Sequence, residues 1–180
     1  MYRCIQFVFI TLFLFSSSAF ATTNIDIFDA AREGDVASIT TYVEQGGKVN
    51  LTNNSGYTPF ILATYHGEDE AAAALLSAGA DACALDDKGS NAYMGVAFKG
   101  YTHTAQWLQE HTTCDINHQN YAGQTALMMA SLFGQEEIVE LLLQNGADPG
   151  VVDDQGNTAE SLAQGQGLTQ ILKIIRFNLP

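Results

Sequence analysis

Basic residues are scarce in this chain. Its 180 residues hold seven Lys and Arg against twenty Asp and Glu, a formal net charge of −13. So acidic a surface argues against nucleic acid and against anionic membranes; it suits a basic or mixed protein partner, or serves solubility alone. Long apolar runs are equally few: the run from Ile5 to Phe15 is too short for a comfortable membrane span, and no other segment approaches one. Cysteine occurs three times, as Cys4, Cys83 and Cys114. Also missing are a phosphate-binding glycine loop, a nucleophile elbow and a two-histidine zinc helix. The chain therefore reads as no enzyme, with no catalytic residue and no cofactor assigned.

The first 21 residues read as a secretory signal peptide. A short start with Arg3 precedes the apolar run, Ser16, Ser17 and Ser18 follow, and Ala19-Phe20-Ala21 is a small-x-small cleavage pattern. Cys4 lies too early to become a lipid-modified first residue. Removal of residues 1–21 leaves 159 residues with a formal charge of −14, the size of one ordinary domain. The protein is expected to be exported, periplasmic in a Gram-negative bacterium or else secreted, free of the membrane and monomeric on its own. Such compartments favour disulfides. Cys83 and Cys114 lie near the loop edges of successive repeats, and the spacing allows either a bridge or two sulfurs held too far apart.

What the chain does have is self-similarity. Gly56-Tyr-Thr-Pro-Phe-Ile-Leu-Ala63, Gly89-Ser-Asn-Ala-Tyr-Met-Gly-Val96, Gly123-Gln-Thr-Ala-Leu-Met-Met-Ala130 and Gly156-Asn-Thr-Ala-Glu-Ser-Leu-Ala163 are copies, spaced by 33, 34 and 33 residues. Gly67, Gly100, Gly134 and Gly167 follow eleven residues later. A period in this range signals a stacked array. Each copy opens with a turn-rich tip, Asn53–Gly56, Asp86–Gly89, Asn120–Gly123 or Asp153–Gly156. Thr58, Asn91, Thr125 and Thr158 are placed to cap a helix. A short apolar helix should run to the second glycine, and a longer one after it, clearest in Gln135–Leu143 with its stripe of Ile138, Val139, Leu141, Leu142 and Leu143. One such pair cannot bury its own apolar face, so neighbours must stack.

Gly56-Tyr-Thr-Pro-Phe60, Gly123-Gln-Thr-Ala-Leu127, Glu137-Ile-Val-Glu-Leu-Leu-Leu143, Asn145-Gly-Ala-Asp-Pro149 and Gly79-Ala-Asp81 make the chain resemble an ankyrin-repeat protein over nearly all of its mature length. The resemblance implies an all-α solenoid of stacked helix-turn-helix units with hairpin-like fingers: a capping unit over 22–47 and repeats over 48–80, 81–114, 115–147 and 148–180. It implies binding of another protein, with no catalysis, through the concave helix face and the fingers. On the helix face stand Tyr65, His66, Phe98, Lys99, Leu132 and Phe133, with Tyr65, Phe98 and Leu132 expected to line up as a ladder. On the fingers stand Tyr57, Asp87, Lys88, Ser90, Tyr121, Gln124, Asp154 and Gln155. Phe98 and Phe133 have an alternative, packing on their own helices. The role that fits is accessory factor to a periplasmic enzyme of the oxidative-stress type, or immunity protein against an incoming toxin.

The second full repeat departs most from the pattern. Gly95 stands inside its first helix at a cost of roughly 1 kcal/mol. Thr104 and Ala105 occupy apolar positions with Trp107 nearby, and an extra residue falls within His111–Cys114, where the capping glycine is missing. His111-x-x-Cys114-x-x-x-His118 has a spacing that zinc ligands use, which keeps open a metal-binding or redox protein built on Cys83, Cys114 and nearby histidines. Asn50-Leu-Thr52 and Asn53-Asn-Ser55 match the glycosylation acceptor pattern.

Overall fold

The computed structural model describes residues 24–178; the expected signal peptide lies outside them. Ten helices, and no strand, occur among the described residues. They form five pairs: α1 (Ile27–Glu33) with α2 (Val36–Glu44), α3 (Pro59–His66) with α4 (Asp69–Ser77), α5 (Ala92–Lys99) with α6 (Thr102–His111), α7 (Ala126–Phe133) with α8 (Glu136–Gln144), and α9 (Ala159–Gly165) with α10 (Thr169–Phe177). This is an all-α repeat solenoid.

The helix boundaries follow from local chemistry. Thr58, Asn91, Thr125 and Thr158 each accept a bond from the backbone N–H three residues on, at 3.1–3.3 Å, which satisfies a donor the helix leaves unpaired. Pro59 follows its cap at the first helical position. Gly67, Gly100 and Gly134 end their helices with φ of 78–79°, a conformation that L side chains resist. The fingers are built alike. In each, the first tip residue, Asn53, Asp86, Asn120 or Asp153, uses Oδ1 to accept the N–H groups two and four residues later. Asn53 is thus committed to its turn. One backbone bond joins each finger to the next: Asp87 N–H to Ser55, Tyr121 N–H to Lys88 and Asp154 N–H to Ala122.

The helices stack in two rows. The inner row, α1, α3, α5, α7 and α9, packs neighbour on neighbour, and each inner helix packs on its outer partner. The core lies between the rows, with Ile39, Phe60, Leu75, Leu108, Leu127, Met128, Ile138, Leu142, Ile171 and Ile175 fully buried. In the outer row α4 and α6 touch least. There Ala71, Ala72, Thr104 and Ala105 are buried where bulkier residues pack elsewhere, and the half-buried Trp107 reaches across to Phe60, ring centroids 6.4 Å apart. His103 of α6 also pairs with Asp69 of α4.

The loops that leave the outer helices are tied together in a regular way. Asn50 accepts the Asp81 N–H (2.8 Å) and donates to the Gly79 carbonyl (2.9 Å), which ties the α2 loop to the α4 loop. Asn117 does the same to Asp148 (2.8 Å) and Gly146 (3.3 Å), tying α6 to α8. Between α4 and α6 no asparagine is available. A Cys83–Cys114 disulfide takes its place, with Cα atoms 5.4 Å apart.

Candidate functional site

The inner helices and the fingers enclose a groove. Its centre is a hollow of about 270 Å³ over α3, α5 and α7, with Ile61, Met94 and Met129 at its base and Asp86, Lys88, Ser90, Asn120 and Gln124 along the finger side. Gly95 makes this hollow. The equivalent positions of the other repeats carry Leu62, Met129 and Leu162, whereas here there is no side chain. A Cβ at Gly95 would come within 3.0 Å of Tyr65 Cδ2, so the missing methyl lets the Tyr65 ring lean onto α5. In the sequence Gly95 reads only as a weak point in a helix; its place opposite Leu62, Met129 and Leu162 is the signal for a gap.

Aromatic side chains wall the hollow. Tyr65 stacks on Phe98, with centroids 6.2 Å apart and planes 9° from parallel, and Phe98 meets Phe133 edge to face at 4.6 Å. The ladder therefore runs Tyr65–Phe98–Phe133. Leu132, expected as its third rung, is half-buried one position earlier, and the ring beside Phe98 is that of Phe133. Phe98 is 40% and Phe133 46% exposed, so neither ring is absorbed into the core. Lys99 places its Nζ 5.2 Å from the Tyr65 centroid and 5.7 Å from that of Tyr101, a cation–π contact with both rings. His66 lies edge-on to Tyr65 at 5.7 Å. Partial burial, followed by the charges of Arg32 and Lys99, holds its imidazole below the usual histidine range, against a smaller opposing pull from Glu68. Burial first, then Asp86, Tyr65 and Asp87, push the Tyr57 phenol up.

Of the residues expected from sequence, Tyr57, Tyr65, Lys88, Ser90, Phe98 and Gln124 meet around the hollow. His66, Lys99 and Phe133 flank it through their contacts with Tyr65 and Phe98. Asp87, Tyr121 and Asp154 instead lie along the stack of fingers, each against the glycine of the finger before it: Gly56, Gly89 and Gly123. Tyr121 is 74% exposed there. Gln155 is exposed on the last finger. Sequence reasoning missed Ile61, Asp86, Met94, Gly95, Asn120 and Met129, which line the hollow from helix and finger positions that look purely structural.

The metal reading loses its ligands. Cys83 and Cys114 are joined to each other. The His111 Nδ1–H donates to the Trp107 carbonyl at 2.8 Å while its ring stacks on the indole, and the His118 Nε2–H donates to the Gly89 carbonyl at 2.8 Å. Among the described residues no group of three His, Cys, Asp or Glu converges as a metal would require.

The family model described as ankyrin repeats (3 copies) matches residues 27–120, 74–153 and 94–177. The chain belongs to the ankyrin-repeat family. It is 26% identical over 188 residues to the putative ankyrin repeat protein YahD of Escherichia coli K12, a match that spans 83% of this chain and 94% of that protein. A putative ankyrin repeat-containing protein of Treponema pallidum is 31% identical over 73% of this chain and 44% of its own length. The Neurogenic locus notch homolog protein 1 of Danio rerio is 29% identical over 73% of this chain but only 5% of its own length. Repeats of this family imply a protein–protein interaction module. Among the described residues no helix is long and apolar enough to cross a membrane.

Proposed function

We propose that this ankyrin protein is an exported, non-catalytic module that binds one partner protein in the groove between its inner helices and fingers, in the bacterial periplasm. The observation that carries the binding reading is the pair of partly exposed rings, Tyr65 and Phe98, standing over the hollow at Gly95. Aromatic residues around a pocket large enough for one side chain are what interface anchors look like. The apolar N-terminal run and the Cys83–Cys114 bridge support export, because disulfides persist in oxidising compartments. Within the periplasm the module serves as accessory factor to an enzyme of the oxidative-stress type or as an immunity protein.

The test is affinity capture from the native envelope, with residues 22–180 as bait and a Tyr65→Ala/Phe98→Ala double variant as control. The captured protein should be lost, or held at least 30-fold more weakly, with the variant, while helical circular dichroism stays unchanged. Equal capture by both baits would remove the groove from the interaction. Loss of helicity would place the two rings in the core. A captured housekeeping enzyme identifies an accessory role; a toxin whose activity the protein blocks identifies immunity.

A further inference from the structure

We infer that the Cys83–Cys114 bridge is a redox-sensitive latch that replaces a hydrogen-bonded clip at one junction of the stack, so that its reduction loosens α4 against α6 and leaves the flanking helix pairs in place. Three observations carry this. First, Cys83 occupies the repeat position of Asn50 and Asn117, and Cys114 directly precedes Asp115 as Ala80 precedes Asp81 and Ala147 precedes Asp148. Asp81, Asp115 and Asp148 confirm the register, since each accepts the N–H two residues later. The bridge spans 31 residues, and so do the Asn50–Asp81 and Asn117–Asp148 clips. Second, the bridged junction is the outer-row contact with the least packing of its own. Third, α6 ends without the positive-φ glycine found after α4 and α8, its C-cap being Thr112 in extended geometry. Elsewhere the turn, the clip and the core act together. Here the covalent bond stands alone beside the Asp69–His103 pair and the Phe60–Trp107 contact.

A dithiol supplies the chemistry. Its thiolate attacks the sulfur of the exposed Cys83, and the S–S bond breaks with Cys114 leaving as thiolate. The second thiol of the reagent, once deprotonated, then displaces Cys83 from the mixed disulfide. The protein gains two electrons and, after protonation, two thiols; the reagent becomes a cyclic disulfide. Nothing in this step requires a bound partner.

Hydrogen exchange read by mass spectrometry on the oxidised and dithiothreitol-reduced chain tests the latch. On reduction, amides of α4, α6 and the segment 112–119 should exchange about 500-fold faster, as expected for releasing a loop of this length. Those of α1, α2, α8 and α10 should change less than about threefold. Equal acceleration in all ten helices would make the bridge a global staple, and no change would make it ornamental; either result overturns the latch. A Cys83→Asn/Cys114→Ala variant recreates the sequence of the other two clips. It should exchange between the oxidised and the reduced chain and ignore dithiothreitol, whereas Cys83→Ser/Cys114→Ser should match the reduced chain. If the two variants exchange alike, the equivalence of bridge and clip is wrong.

Discussion

Helix α8 buries Ile138, Val139 and Leu142, whereas α6, the same element one repeat earlier, buries Thr104, Ala105 and Leu108. The exchange removes three to four buried carbon groups, about 3 kcal/mol of apolar burial. A disulfide closing 31 residues returns about 3.5–4 kcal/mol by chain entropy, so the weaker repeat is restored by a bond rather than by packing. The same repeat carries Gly95 and the hollow. The comparison teaches that neighbouring copies of one repeat can be held by different means. The α7–α8 repeat stabilises through an apolar stripe, while the repeat before it gives up side-chain bulk, is held covalently, and leaves the hollow at Gly95 open.

The sharpest way to break this comparison is at Phe60, which is fully buried and meets Trp107. Phe60→Ala should cost about 4 kcal/mol and Trp107→Ala, only half-buried, about 2 kcal/mol, both read from urea unfolding. If Trp107→Ala costs nothing, that ring does not fill the space beside Thr104 and Ala105. Next in size is Gly95→Leu, which restores the residue type of Leu62 and Leu162. Partner affinity should fall at least tenfold by titration calorimetry as the hollow fills, while stability changes by no more than about 1 kcal/mol, helix propensity gained opposing displacement of the Tyr65 ring. Undiminished affinity would show that the hollow is unused.

The smallest expected effect concerns the fingers. Burial pushes the Asp153 carboxyl up, but its bonds from the Asn157 N–H and side chain, then from the Gln155 and Gly156 N–H groups, outweigh this and hold it below its ordinary value. A carboxyl lowered in the folded state contributes stability that is complete above its unfolded value near pH 4 and lost as pH falls through the lower folded value. Fingers one and three use Asn53 and Asn120 at this place. Asp153→Asn should therefore leave stability near pH 7 within about 1 kcal/mol and flatten its decline below pH 4 in acid unfolding curves. An unchanged acid slope would mean that Asp153 titrates alike folded and unfolded.

Much of the fold was legible because its determinants are local. Thr58, Asn91, Thr125 and Thr158 cap the helices that follow them, and Gly67, Gly100 and Gly134 end those helices, through atoms within four residues. The site was legible in part. Tyr65 and Phe98 could be placed on one face by the period, but the period puts Leu132 at the next equivalent position, whereas the ring that meets Phe98 is that of Phe133. Asn50 carries a glycosylation pattern, yet its amide is occupied by Gly79 and Asp81 of the next loop.

Sequence alone determined the period, the helix pairs, the capped ends and the finger turns, because backbone hydrogen bonding and side-chain capping act over a few residues and repeat whenever their residues repeat. Only the tertiary structure decided the pairing of Cys83 with Cys114, the Tyr65–Phe98–Phe133 row and the hollow at Gly95. Each joins groups about 30 residues apart, and their approach is set by how one repeat seats on the next, a balance of packing across the whole stack.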